Sequence, residues 1–144
     1  MHRKMKKPLL ILLLLALPVA GKSAEVPDWL IGTWQSNEKL TLADMNRHPE
    51  VSQKARKFFE NKFFGRDVQI FRKNDSTSYF VDDKPAHLKY EAYEKISVNG
   101  DTIKIVDFNN ILGKMEHTIY REGQCFYVLV SKWEFKEYFC PRDQ

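Results

Sequence analysis

Lys114-Met-Glu-His-Thr-Ile-Tyr-Arg-Glu-Gly-Gln-Cys-Phe-Tyr-Val-Leu-Val-Ser-Lys-Trp-Glu-Phe-Lys-Glu-Tyr-Phe-Cys140 is the stretch whose reading decides the fold. Apolar side chains recur at every second position on either side of Glu122-Gly123 and again beyond Lys132-Trp133. That is the period of pleated strands, not of a helix. A one-residue slip would turn a strand's whole apolar set to the other face, so each turn signal sets a register that can be tested. With Glu122-Gly123 as a two-residue turn, Ile119 faces Phe126, His117 faces Val128 and Met115 faces Val130. With Lys132-Trp133 as the turn, Phe126 faces Phe139, Val128 faces Glu137 and Val130 faces Phe135. Both hairpins share the strand 124–131 and agree on its inward face. Two apolar rows result, Ile119–Phe126–Phe139 and Met115–Val130–Phe135, with the polar row His117–Val128–Glu137 between them. On the opposite face, Cys125 falls across from Cys140.

The same period continues upstream. Strands are predicted over 67–73, 77–82, 87–98 and 101–108, broken at Asn74-Asp75, Asp82-Asp83-Lys84-Pro85 and Asn99-Gly100. Asn-Gly is the strongest short-range hairpin signal, and as a turn here it sets Ile96 against Ile103, Glu94 against Ile105 and Ala92 against Asp107. Val68, Ile70 and Arg72 align on one face of the first of these strands. Ahead of them, Trp34 opens a short strand to about Leu40, and Thr41 offers a hydroxyl as a helix N-cap. His48-Pro49 interrupts that helix, Pro49 starts a second one, and Gly65 supplies its left-handed stop. The Phe58-Phe59 and Phe63-Phe64 pairs are expected to plug one end of the fold, a lid over a portal being the alternative. The predicted architecture is mainly β, an antiparallel up-and-down barrel of about eight strands with one or two helices between the first and second strands.

Met1 to Lys7 carries Arg3, Lys4, Lys6 and Lys7 and no acid, and an apolar run from Pro8 to Gly21 follows. A basic start, an apolar core of about 7–15 residues and a small-residue exit make a secretory leader. A membrane anchor would need about 20 apolar residues. The leader is expected to span 1–24, with cleavage after Ser23 or Ala24, leaving one domain over 25–144 that is periplasmic or secreted, with no stable membrane anchor. Residues 1–24 hold five of the 23 Lys and Arg and none of the 19 acids, so the domain carries 18 bases against 19 acids and a net charge of −1. The basic balance belongs to the leader, which argues against nucleic acid as a partner. Two cysteines in an oxidising compartment predict one disulfide, Cys125–Cys140. In a strict two-residue hairpin that pair falls at the wider, hydrogen-bonded spacing, which a longer turn would relieve.

Gly32-Thr33-Trp34 on the first strand, the helical segment behind it and Ser97-Val98-Asn99-Gly100-Asp101 in a later hairpin resemble the calycins, meaning lipocalins and fatty-acid-binding proteins. The resemblance implies an exported barrel with Gly32 and Trp34 as structural residues, Trp34 closing the floor near a basic residue, Arg142 or Lys136. It also implies a small hydrophobic or amphipathic ligand. The Arg-x-Tyr pair that holds a fatty-acid carboxylate in that family is replaced here by Lys136-Glu137-Tyr138, and an inward Glu137 would repel a carboxylate.

Charged groups on an inward face are costly unless paired or put to use. His117, Glu137, Glu94 and Arg72 are therefore the candidate interior residues, either as a structural network such as Arg72 with Glu137 or as groups that orient a ligand between apolar walls. His48, His87 and His117 are dispersed and lack metal-ligand spacing. No nucleophile elbow or phosphate loop occurs, so no catalytic residues, metal or cofactor are expected. The expected function is ligand binding, the alternative a filled barrel acting as a protein-interaction module of inhibitor or immunity type.

Overall fold

The computed structural model describes residues 24–109, 113–130 and 132–142, without the side chains of Phe108 and Asn109. The expected leader lies outside the described residues except for Ala24. A short 3-10 turn, Asp28–Leu30, leads into β1 (Gly32–Ser36), α1 (Glu38–Met45) and α2 (Gln53–Glu60). Strands follow as β2 (Asp67–Phe71), β3 (Asp75–Phe80), β4 (Glu91–Ala92), β5 (Lys95–Asn99), β6 (Thr102–Asn109), β7 (Gly113–Glu122), β8 (Cys125–Leu129) and β9 (Lys136–Pro141). They form one curled antiparallel sheet in the order β4-β3-β2-β1-β9-β8-β7-β6-β5. Among the described residues no helix is long and apolar enough to cross a membrane.

The expected closed barrel of eight strands is thus an open half-barrel of nine. The difference arises in the segment predicted as one strand over 87–98. Tyr93 N–H still donates to Asn74 O on the β3 side (3.1 Å), whereas Glu94 N–H donates to Val106 O of β6 (2.9 Å). The segment changes partner between these two residues, so its halves become the two edges of the sheet and the curl stays open. Buried Tyr93 anchors the switch, its hydroxyl 2.8 Å from Asp75 O and 3.2 Å from Arg72 O.

Two hairpins turn one residue later than expected. Asn99 pairs with Thr102 and Glu122 with Cys125, so the turns centre on Gly100-Asp101 and Gly123-Gln124. Both glycines take φ +60°, which a type II′ turn requires at its first central position. The shift moves pairing by two residues and preserves the faces. Ile96 therefore lies opposite Ile105, not Ile103. The β8–β9 register is as expected, with Phe126 against Phe139 and Val128 against Glu137. Val130 N–H donates to Phe135 O (2.9 Å), which makes that loop longer than two residues. Counting back by alternation puts Cys125 and Cys140 at a non-hydrogen-bonded site, where strands approach more closely. Their Cα atoms are 4.3 Å apart and the disulfide is formed.

The expected strand to Leu40 stops at Ser36 because α1 takes over its pairing. Asn37 N–H donates to Tyr138 O (2.7 Å), Tyr138 N–H to Thr41 Oγ1 (3.0 Å) and Lys136 N–H to Asp44 Oδ2 (2.8 Å). Asn37 is the N-cap in place of Thr41, its side chain accepting from Leu40 N–H at 3.0 Å. Ser52, not Pro49, starts the second helix, accepting from Ala55 N–H at 3.2 Å. That helix ends at Glu60, ahead of Gly65. Phe59 and Phe64 close one end of the curl with Met45, Val51 and Phe135. Phe58 and Phe63, expected in the same plug, stand 59% and 46% exposed. The other end is closed by Val26, Leu30, Trp34, Phe71, Phe126 and Phe139.

Candidate functional site

Between these two apolar ends the concave face of the sheet borders a half-open cavity of about 730 Å³. Its walls carry Phe71 from β2, Ile105 from β6, Ile119 from β7, Val128 from β8 and Phe139 from β9. Strand alternation sets these apolar groups two residues from polar ones on the same face. Asp67 and Gln69 accompany Phe71, Glu137 accompanies Phe139, and Asp107 and His117 accompany Ile105 and Ile119. The cavity reaches the open seam of the curl, where Lys89 and Glu91 stand at its rim. It also reaches the β7–β8 junction. There only Tyr120, Arg121 and Glu122 pair with β8, although β7 runs from Gly113.

The inner half of the cavity is acidic. Ser36 sits two residues beyond Trp34 on the same face of β1. Its hydroxyl accepts from Gly65 N–H (3.0 Å), which leaves the hydroxyl proton to donate to Glu137 Oε1 (2.9 Å). Burial pushes the Glu137 carboxyl up to about 7; the Ser36 bond opposes this and the nearby Asp67 charge adds to it. Asp67 is also raised by burial, against a hydrogen bond from Gln69 Nε2 to Oδ2 at 3.1 Å. Around pH 7 Glu137 is therefore divided between its protonated and ionised forms, with the Ser36 hydroxyl as its donor and Asp67 as its acidic neighbour.

Of the four predicted interior residues, Glu137 and His117 line the cavity and Glu94 and Arg72 do not. His117 Nε2 lies 3.4 Å from Asp107 Oδ1, so its carboxylate neighbour is Asp107 and not Glu137. The turn shift on Gly123 accounts for this, since it carries His117 along β7 past Val128. Glu94 is 44% exposed and pairs with Lys114 at 2.6 Å. Arg72 follows the end of β2, forms a salt bridge with Asp75 and stacks 3.5 Å over the ring of Tyr90. The Arg72–Glu137 network is absent for that reason.

The face of β2 is the reverse of the one expected. Asp67, Gln69 and Phe71 point into the curl, while Val68 is fully buried on the other side. With apolar residues on both faces of Asp67-Val-Gln-Ile-Phe71, alternation alone leaves the parity undetermined. That ambiguity concealed Asp67. Ser36 was signalled by its spacing from Trp34.

Trp34 sits in the apolar end cluster, its indole N–H donating to Leu30 O (2.8 Å) and its ring edge-on to Phe126 at 5.0 Å. Gly32 begins the same strand opposite Phe71. Of the basic residues expected near Trp34, Arg142 lies beside it, its backbone N–H donating to Thr33 O (3.0 Å) while Nη1 donates to the Tyr79 hydroxyl (2.9 Å), and Lys136 Nζ donates to Glu122 (2.8 Å).

Compared with protein-family models, with curated proteins and with solved structures, the chain matches none. The curled antiparallel sheet is compatible with a barrel architecture.

Proposed function

We propose that the chain is an exported, calycin-like carrier that takes a small amphipathic molecule into the concave side of its sheet. The observation that carries this reading is the half-open cavity of about 730 Å³, in which a strip of apolar side chains from β2, β6, β7, β8 and β9 lies among more numerous polar and charged ones. That volume falls within the range of about 300–1,000 Å³ usual for small-molecule sites. The Cys125–Cys140 disulfide supports export, because such bonds persist in oxidising compartments. Processing after Ser23 or Ala24 would leave Ala24 or Glu25 as the first residue, which N-terminal sequencing of the mature protein reads directly. Native mass spectrometry tests the carrier reading. Adducts of discrete mass on protein purified from its own host support it, and bare protein under every mild condition counts against it.

A second reading rests on Phe58 and Phe63, whose rings lie 5.0 Å apart on the outside of the helical end. Exposed aromatic pairs are common anchors of protein interfaces. Under this reading the chain is a protein-interaction module. Replacing both residues by Ser would then abolish capture of a protein partner while leaving any small-molecule adduct in place.

A further inference from the structure

We infer that the ligand's polar end is cationic: an ammonium group sits against Asp67 and Glu137 while Phe71, Ile119, Val128 and Phe139 hold its hydrocarbon portion. This rests on the reading that the cavity holds a ligand, and it names the chemical class.

Five carboxylates line the cavity, and they divide into two sets. The outer three have basic neighbours: Glu91 pairs with Lys89 (3.0 Å), Glu116 with Lys104 (3.7 Å) and Asp107 with His117 (3.4 Å). The inner two, Asp67 and Glu137, have only the neutral donors Gln69 and Ser36. Among the described residues, no hydrogen bond reaches Glu137 Oε2 or Asp67 Oδ1, and neither is a sealed, unsatisfied buried atom. Both oxygens are therefore free to receive a donor from the cavity. Enclosed carboxylates are costly without a counter-charge or a full set of donors. An ammonium supplies both, with three N–H donors and one positive charge.

The competing chemistries fit less well. A carboxylate or phosphate would meet two acids at the inner end and, among the described residues, no cation lining it. A hard divalent cation wants six or more oxygen ligands, and among the described residues no group of three His, Cys, Asp or Glu converges. A neutral amphiphile fits the walls but leaves Asp67, and above about pH 7 also Glu137, without a counter-charge.

Three probes with the same dodecyl chain separate these cases: dodecylammonium, dodecanol and dodecanoate. Each is titrated below its micelle concentration into the oxidised mature protein at about pH 8, with binding followed by calorimetry. Dodecylammonium is expected to bind at least ~10-fold tighter than dodecanol, about 1.4 kcal/mol, with dodecanoate the weakest. Glu137→Gln should lower the ammonium-to-alcohol ratio, with Asp67 responsible for the preference that remains. Asp67→Asn is the second variant, and the ratio in the unmodified protein needs neither. Equal or weaker binding of the ammonium than of the alcohol overturns this inference and leaves the carrier reading standing. No binding of any of the three overturns both.

Discussion

Glu137 holds its proton more tightly than an exposed glutamate because the cavity withdraws water from its carboxylate while Asp67 adds negative charge beside it. The folded protein consequently binds more protons than the unfolded chain between the ordinary value of 4.5 and about 7. Stability from this group is fully present below 4.5 and is lost as the pH rises through about 7. The loss is on the order of 3 kcal/mol at most. Ser36 faces it from β1, Asp67 from β2, and Asp107 and His117 from the far wall, and Asp67 acts in the same direction. Glu137→Gln should flatten the pH dependence of the urea midpoint between about pH 5 and pH 8 and raise the midpoint at the upper end. A steeper profile in that variant would contradict the assignment. Glu137 was legible in the sequence because a turn signal and an apolar alternation on both strands agreed. Asp67 was not, because β2 has apolar residues on both faces. Glu94 was placed inside by a hairpin that the partner switch at Tyr93 cuts short, and Arg72 by the β2 parity that the structure reverses.

The element that most shapes the architecture is α1, which hydrogen-bonds to β9 where β1 would otherwise continue. Thr41 is fully buried and Asp44 is 5% exposed, and each accepts a backbone N–H of β9. Thr41→Val keeps the shape and leaves Tyr138 N–H without an acceptor, which should cost about 1–3 kcal/mol in chemical denaturation. Asp44→Ala should cost at least as much, since Asp44 also faces Arg47 at 3.6 Å and His48 at 3.5 Å. At the β7–β8 turn, Gly123 has φ +60° and open space where a Cβ would stand. Gly123→Ala should therefore lose about 1–2 kcal/mol through backbone strain alone, with the fold intact by circular dichroism. Helix content between the first two strands could be read from the sequence. The role of Thr41 could not, because a capping hydroxyl and a strand-pairing hydroxyl have the same local signature.

Across the whole molecule, the disulfide ties β8 to β9 over a sequence separation of 15. A closed loop of that length is worth about 3 kcal/mol in the chain-entropy account. Reduction should lower the denaturation midpoint by a corresponding amount while the strand signal persists under mild conditions. The mainly antiparallel architecture was legible from turn spacing and period. Its incomplete closure was not, because the segment 87–98 carries no break between the residues that bond β3 and those that bond β6. The sheet order has a further consequence, for the sequence of events in folding. β1 to β3 and β5 to β8 can each zip up through neighbouring hairpins, but the two blocks meet across β9, between β1 and β8. β9 follows every other described strand in the chain, so apart from the crossover at Tyr93–Glu94 the two blocks are not joined until Lys136–Pro141 is free. Joining them requires closure of a loop about as long as the domain, and long-range closure is the slow part of β-sheet folding. Pulse-labelled amides of β2 and β7 should accordingly gain full protection in one late step, coincident with those of β9.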